Sequence, residues 1–430
     1  MGKEPAPSPF FFNSIYEWID PMPQRLPLLS EKSADFIEGI SRQVREYMLH
    51  LDRAEAEALL AQLLHRMEEE SSALDLVEET YAVLLARVAV SCDYQELARI
   101  HAQLNELEIV RFEAIPSVPA LHYACTHYRD LLAARTLILV ERELEAKGEG
   151  PAPLPYALLS MGSDGRLEQT LITDQDYLLV YANGGDEKSD NYFVTFSCQL
   201  VERLAEVGFK KCTGDIMPSN PTWRGSVQQW NRRILAIVRY EFDEYAKNLM
   251  DLIVLSDARY VAGERTLADA LVEVIRDFER SYFQVIWGMA KAATNMKVGL
   301  GWFGRLWTEP KGPHKGELNI KLLGWAPLVM NVRILAVNSN ILETSTLQRI
   351  DKLEEARSFS SEFADGLRSA YLFLTRQRIL LQIRELRGLQ PDSYFLDPQA
   401  LTVQQQHELR QALRRIEELQ KIIQTNFTIV

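Results

Sequence analysis

Leu158-Leu-Ser-Met-Gly-Ser-Asp-Gly-Arg-Leu-Glu-Gln-Thr-Leu-Ile-Thr-Asp-Gln-Asp-Tyr-Leu-Leu-Val-Tyr181 decides how this chain is read. Tyr156–Met161 is a short apolar run bounded by turn residues, which predicts a buried strand. It delivers Gly162-Ser163 into a turn. A second strand is predicted over Asp174–Tyr181, closed by Asn183-Gly184-Gly185. Side chains alternate along a strand, so Asp174 and Asp176 are expected on one face. Two adjacent carboxylates repel and raise each other's pKa unless a cation neutralises them. The natural occupant is a pair of Mg²⁺ ions, hard cations that bind carboxylates together with substrate phosphates. Gly162 and Ser163 would grip phosphate oxygens, through backbone N–H groups and a hydroxyl, because glycine lets the backbone approach closely. A solvated strand end after a capped turn is the alternative for a bare Asp-x-Asp. This is the one Asp-x-Asp in the chain, and it follows a strand-borne Gly-Ser by ten residues.

Working outward, Ser117-Val-Pro119 predicts the start of a long helix that runs through Leu144 and ends before Gly148. Residues 31–108 have helical spacing, and residues 1–30, rich in Pro and aromatics, read as an irregular arm. A helix is expected over about Asp190–Ala205 and a third strand over Leu249–Ala258. Beyond Gly263 the chain is helical to its end, apart from an irregular break over 297–316. Leu409, Ala412, Ile416, Leu419 and Ile423 predict a final helix that packs into a bundle. The expected fold class is therefore α+β and predominantly helical, with a small mixed sheet. Its parts are an arm (1–30), an N-terminal helical domain (31–150), a central sheet domain (151–263) and a C-terminal helical bundle (264–430).

Composition excludes several functions. With 430 residues, 47% hydrophobic and 25% charged, most of the chain is expected to be globular rather than disordered. A net charge of −13 leaves no general basic coat for long nucleic acid. No uncharged run is long enough to span a bilayer, so no membrane partner is expected. The start does not read as a secretory signal. Four cysteines without CxxC spacing suit reduced thiols, and a cytoplasmic location is expected. Histidines in neither HxxxH nor HExxH spacing give no zinc site. Gly299-Leu-Gly-Trp-Phe-Gly304 spells GxGxxG, but it follows a helical segment and carries bulky groups, so a plain loop is expected. Lys311-Gly-Pro-His314-Lys315 reads as a solvated basic turn.

Gly-Ser, about ten residues, then Asp-x-Asp resembles the signature of the DNA polymerase beta-like nucleotidyltransferases. The wider wording Gly162-Ser-Asp-Gly-Arg-x-Glu-Gln-Thr-x-x-Thr-Asp-Gln-Asp176 resembles a nucleotidyltransferase family often fused to cyclic-nucleotide-binding and CBS domains in bacterial signalling proteins. That family is related to the PII-protein uridylyltransferase. Met217-Pro-Ser-Asn-Pro-x-Trp-Arg224, Gly316-Glu-Leu-Asn-Ile-Lys321, Pro327-Leu-Val and Arg333-Ile-Leu-Ala336 are similar to its later blocks. The likeness covers about 80–390. Two positions depart from the pattern: Asp164 replaces a usual Glu, and Asn319-Ile-Lys321 replaces Asp-x-Lys.

The resemblance implies a polymerase beta-type catalytic domain over 151–263. The implied reaction is Mg²⁺-dependent transfer of a nucleoside monophosphate from an NTP to a hydroxyl, with release of pyrophosphate. The acceptor it suggests is a regulatory protein. It also implies a third carboxylate in an Asp-x-Arg context, here Asp257-Ala-Arg259, with Asp251 in reserve; Asp257 would ligate metal and act as base. Arg166 is the expected cation for the triphosphate, able to bind oxygens bidentately; a salt bridge to Glu168 is its alternative. A non-catalytic nucleotide-binding signalling module and a small-molecule nucleotidyltransferase are the rival readings.

Overall fold

The computed structural model describes residues 76–239, 245–301 and 304–429. The expected arm over 1–30 and the helices over 31–75 lie outside them. The chain divides into two compact units, 1–90 and 91–430. In the first, a helix covers 76–90.

The second unit opens with α1 (Tyr94–Ala114) and α2 (Val118–Ala146). Both start where local chemistry dictates. Asp93 caps α1 by accepting from the Gln95 N–H, and Ser117 caps α2, with Pro119 in the first turn. The α/β part follows: β1 (Tyr156–Ser160), a single helical turn α3 (Gly162–Gly165), β2 (Asp174–Gln175), β3 (Tyr177–Tyr181) and α4 (Glu187–Val207). Helix α4 ends on Gly208 in the left-handed region. Then come β4 (Lys210–Lys211), β5 (Arg224–Ser226), α5 (Val227–Val238), α6 (Tyr245–Leu255) and β6 (Arg259–Gly263).

The sheet has the order β5-β3-β1-β6. β1 is antiparallel to both neighbours while β3 and β5 run parallel, so the small sheet is mixed as expected. β1 and β3 are buried at every residue, which requires cover on both faces. Part of that cover is aromatic: Phe193 and Phe196 of α4 meet Tyr156, and Phe193 stacks on Tyr181 at 4.3 Å between ring centroids.

Two local expectations need correcting. Leu249–Ala258 is not a strand; most of it is helix α6, and the strand is β6, immediately after it. Leu249, Leu252 and Ile253 are buried while Met250 is exposed, a helical spacing hidden inside a continuous apolar run. Asp174–Tyr181 is not one strand either. The chain changes partner at Asp176: β2 pairs in parallel with β4, whereas β3 joins the main sheet.

The C-terminal part comprises α7 (Arg265–Ser281), α8 (Phe283–Thr294), β7 (Leu318–Asn319), a π-helical turn (Lys321–Trp325), α9 (Ala326–Asn338), α10 (Thr346–Glu355), α11 (Ser361–Leu386), β8 (Phe395–Leu396) and α12 (Val403–Asn426). The irregular break falls between α8 and β7, as the sequence predicts. Leu409, Ala412, Ile416, Leu419 and Ile423 are all buried, and α12 packs against α8, α9 and α11 as a bundle helix. The β7–β8 pair, which brings the Asn319 and Phe395 segments together, is not foreseen from sequence.

Gly165 is fixed by a close crossing. A Cβ there would lie 2.1 Å from the Asp257 carbonyl oxygen and 2.9 Å from that of Ser160. Neither backbone can retreat without breaking the junction of β1 with β6. Gly165→Ala is therefore expected to cost about 3 kcal/mol or more, the upper range for overpacking, read as a lowered midpoint in chemical denaturation.

Candidate active site

Strand β1 leads into Met161, whose N–H donates to the Asp176 carbonyl at 2.8 Å. That bond sets the Gly162 turn against the end of β2. Gly162 has φ +59, and a Cβ on it would lie 2.5 Å from Asp176 Oδ2. The Asp176 carboxylate thus rests where any other side chain would be. The charge of Asp174, two residues earlier, acts on it, and both side chains are half-buried. Burial pushes the Asp176 carboxyl up to about 6, with Asp174 and Asp164 adding to the rise; a hydrogen bond from the Cys212 thiol and the charge of Arg166 oppose it. Among the described residues neither Asp174 nor Asp176 has an ion-pair partner. The half-buried Ser163 hydroxyl beside them has no protein partner there either.

The structure brings Gly162, Ser163, Asp174 and Asp176 together. It places Asp257 and Arg166 differently. Asp257 lies in the turn between α6 and β6 and is 0% exposed. One of its oxygens accepts from Arg333 Nε at 3.1 Å and Arg349 Nη1 at 3.0 Å. The other accepts from Arg166 Nη1 at 2.7 Å and from Arg333 Nη2. Burial alone would raise this carboxyl, but Arg333, Arg166 and Arg349 together hold it below the usual carboxylate range. Arg166 spends its remaining edge on Glu168, Nε to Oε2 at 2.8 Å, and is itself buried. Its salt bridge, not a free cation, is what the geometry contains.

The rest of the motif is also anchored. Glu168 accepts from the Thr346 N–H at the start of α10, 2.6 Å. The Gln169 carbonyl lies 2.8 Å from His122 Nδ1, and Arg129 donates to the Gln169 side chain at 2.9 Å and to the Leu171 carbonyl at 3.0 Å. Gln175 donates to the carbonyls of Val201 and Phe209, tying β2 to α4. Arg259 binds Asp130 of α2 with both Nη atoms, at 2.8 and 2.9 Å, and Asp164 at 2.9 Å. The motif thus divides in two. Gly162, Ser163, Asp174 and Asp176 line the site, whereas Asp164, Arg166, Glu168, Gln169 and Gln175 clamp it to neighbouring elements.

One cation from the C-terminal part stands near the carboxylates, with a second beside it. The Lys321 ammonium lies 4.5 Å from the centre of the Tyr394 ring and is within electrostatic reach of Asp174 and Asp176. Arg378, on α11, stacks over Trp325 at 4.2 Å, and its charge acts on Lys321. Lys321 belongs to a block that the sequence marks without assigning it a role. Arg378 carries no local signal at all.

A family described as Putative nucleotidyltransferase DUF294 matches residues 102–244, and its companion, Putative nucleotidyltransferase substrate binding domain, matches 283–427. Each match covers about a third of the chain. The first match holds the Gly162 turn and both carboxylates; the second holds Lys321, Arg333, Arg349 and Arg378. Both descriptions point to nucleotidyl transfer in general. No curated protein matches the chain. No described helix is long and apolar enough to cross a membrane.

Proposed function

We propose that the protein transfers a nucleoside monophosphate from an NTP to a hydroxyl on a regulatory protein, releasing pyrophosphate. The observation that carries this reading is the Asp174/Asp176 pair, half-buried, without an ion-pair partner among the described residues, and pressed on the side-chain-free face of Gly162. Such a pair is unfavourable unless a ligand neutralises it. Among the described residues no cluster of three or more His, Cys, Asp or Glu is set to hold a metal. Two carboxylates suffice for Mg²⁺, which commonly takes one or two and completes its shell with water and substrate phosphates. The donor set therefore fits, with Asp174 and Asp176 as the protein ligands. Bound there, Mg²⁺ would supply charge stabilisation at the reacting phosphate.

The chain's own residues do the remainder. Ser163 and the turn N–H groups bind phosphate oxygens. Gly162 admits the Asp176 carboxylate at contact distance. Asp257, Arg166, Arg333 and Arg349 hold the turn and the C-terminal helices in register, so Asp257 acts as a positioning residue. The assignment of a protein acceptor follows from the resemblance to the PII-protein uridylyltransferase and from the net charge of −13, which disfavours long nucleic acid.

The test is a panel of ATP, UTP, GTP and CTP with and without Mg²⁺, read by thermal shift, by pyrophosphate release and by transfer of α-phosphate label to proteins of a bacterial extract. One nucleotide should stabilise in a Mg²⁺-dependent manner; at 100 times its Kd the gain is about 2.7 kcal/mol. Label should move to a protein as pyrophosphate appears. Stabilisation with neither pyrophosphate nor label transfer would instead establish a non-catalytic nucleotide-binding module.

A further inference from the structure

We propose that Lys321 and Arg378, held on the aromatic rings of Tyr394 and Trp325, form the subsite for the β- and γ-phosphates of the NTP. This rests on the reading of Asp174/Asp176 as a nucleotidyl-transfer site and names the cations that reading requires. A triphosphate is strongly anionic, and two carboxylates beside it add to the repulsion. Arg166, the cation nearest the turn in sequence, is already committed to Asp257 and Glu168. Any counter-charge that the protein itself supplies must come from elsewhere.

Arg378 has the properties of that group. Among the described residues its guanidinium makes no ion pair and no hydrogen bond, and its Nε is buried without a partner. A guanidinium in that state costs free energy that a bound anion would recover. Its face is occupied by Trp325 at 4.2 Å, which leaves the in-plane N–H edge for a bidentate phosphate contact. Trp325 is itself fixed: its indole N–H donates to Thr375 Oγ1 at 3.1 Å, one turn before Arg378 on α11. The stack is thus built before any ligand arrives, as a binding group must be if orientation is not to be lost in ordering it.

Lys321 is the second cation. Four residues before Trp325, it opens the π-helical turn, a rare geometry that recurs at functional sites. Its ammonium sits over Tyr394 at 4.5 Å and makes no ion pair among the described residues. Tyr394 is held in turn, because its carbonyl accepts the Ile320 N–H at 2.9 Å beside the β7–β8 pair. Burial and the nearby Arg378 charge lower the affinity of Lys321 for its proton, while Asp174, Asp176 and Cys212 oppose that shift. Lys321 within electrostatic reach of Asp174 and Asp176, and Arg378 within reach of Lys321, describe a run of cations leading away from the carboxylates along which a polyanion can lie.

The probe is inorganic tripolyphosphate, titrated calorimetrically into the full chain with EDTA present. Wild type should bind it. Arg378→Gln and Lys321→Met should each bind about tenfold more weakly, the loss expected for one charge-assisted contact. Asp174→Asn, Asp176→Asn together should bind it more tightly than wild type, because two repelling charges are gone. Arg378→Lys, which keeps charge but not the planar fork, should also weaken binding; it serves as the readout if Arg378→Gln does not fold. Unchanged affinity in the Lys321 and Arg378 variants overturns the subsite. If those variants lose tripolyphosphate while wild type binds a nucleotide but releases no pyrophosphate, the subsite stands and the transfer reading falls; if wild type binds no nucleotide, both fall.

Discussion

Asp257→Asn is expected to lower folding stability by about 3–5 kcal/mol, the range for removing one partner of a buried ion pair. The substitution keeps volume and shape, so the loss is electrostatic. Arg333 and Arg349 would be left in a site of 0% exposure at Asp257, facing a neutral amide, and Arg166 would keep Glu168 alone. The pH dependence follows from the direction of the shift. The folded carboxyl titrates below its unfolded value, so its contribution is present above the unfolded pKa and fades as pH falls through the folded one. Urea denaturation of wild type and variant should differ most near pH 7 and converge in acid. A variant with wild-type stability but no transfer would return Asp257 to the catalytic role that its Asp-x-Arg context suggests.

The second large effect runs the other way in stability. Asp174→Asn and Asp176→Asn are each expected to cut transfer by about 10²–10³-fold or more, the scale on which single electrostatic contributors to a transition state act. Neither should unfold the protein. Burial and Asp174 raise the Asp176 carboxyl to about 6. For a folded pKa above the unfolded one, stability is full below the unfolded value and is lost as pH rises through the folded value. At pH 7 wild type therefore carries the penalty of an ionised, crowded Asp176, and the Asn variant does not. Its thermal midpoint should equal or exceed that of wild type, with the difference vanishing in acid. A variant that is inactive because it is unfolded, or active at wild-type rate, would remove the pair from the mechanism. Loss of activity with gained stability is the pattern expected of a site built for a ligand rather than for the fold.

The family wording led sequence reasoning to the right place and then to the wrong tasks for some of its letters. Arg166 reads as a phosphate ligand because arginine near a Gly-Ser turn commonly is one. Its true partners, Asp257 and Glu168, lie 91 and 2 residues away, and only the nearer is visible locally. Glu168 and Gln169 have no legible role until the start of α10 is seen to bind the first and side chains of α2 the second. Arg378 is missed because its significance is a lack of partners, and a sequence cannot display an absence of that kind.

What the sequence by itself determined is what short-range physics controls. The cap at Ser117, the buried runs of β1 and β3, the bundle stripe of the last helix and the nearness of Asp174 to Asp176 all follow from periodicity, capping chemistry and short separation along the chain. The tertiary structure alone decided which charges meet. Asp257 is claimed by arginines 76 and 92 residues downstream, and the carboxylate pair lies within electrostatic reach of Lys321, which in turn feels Arg378. It also decided that residues 245–255 are helix, since a short unbroken apolar run satisfies either periodicity until its neighbours choose. Charge pairing acts across space at a cost that depends on burial, and burial is a property of the packed chain.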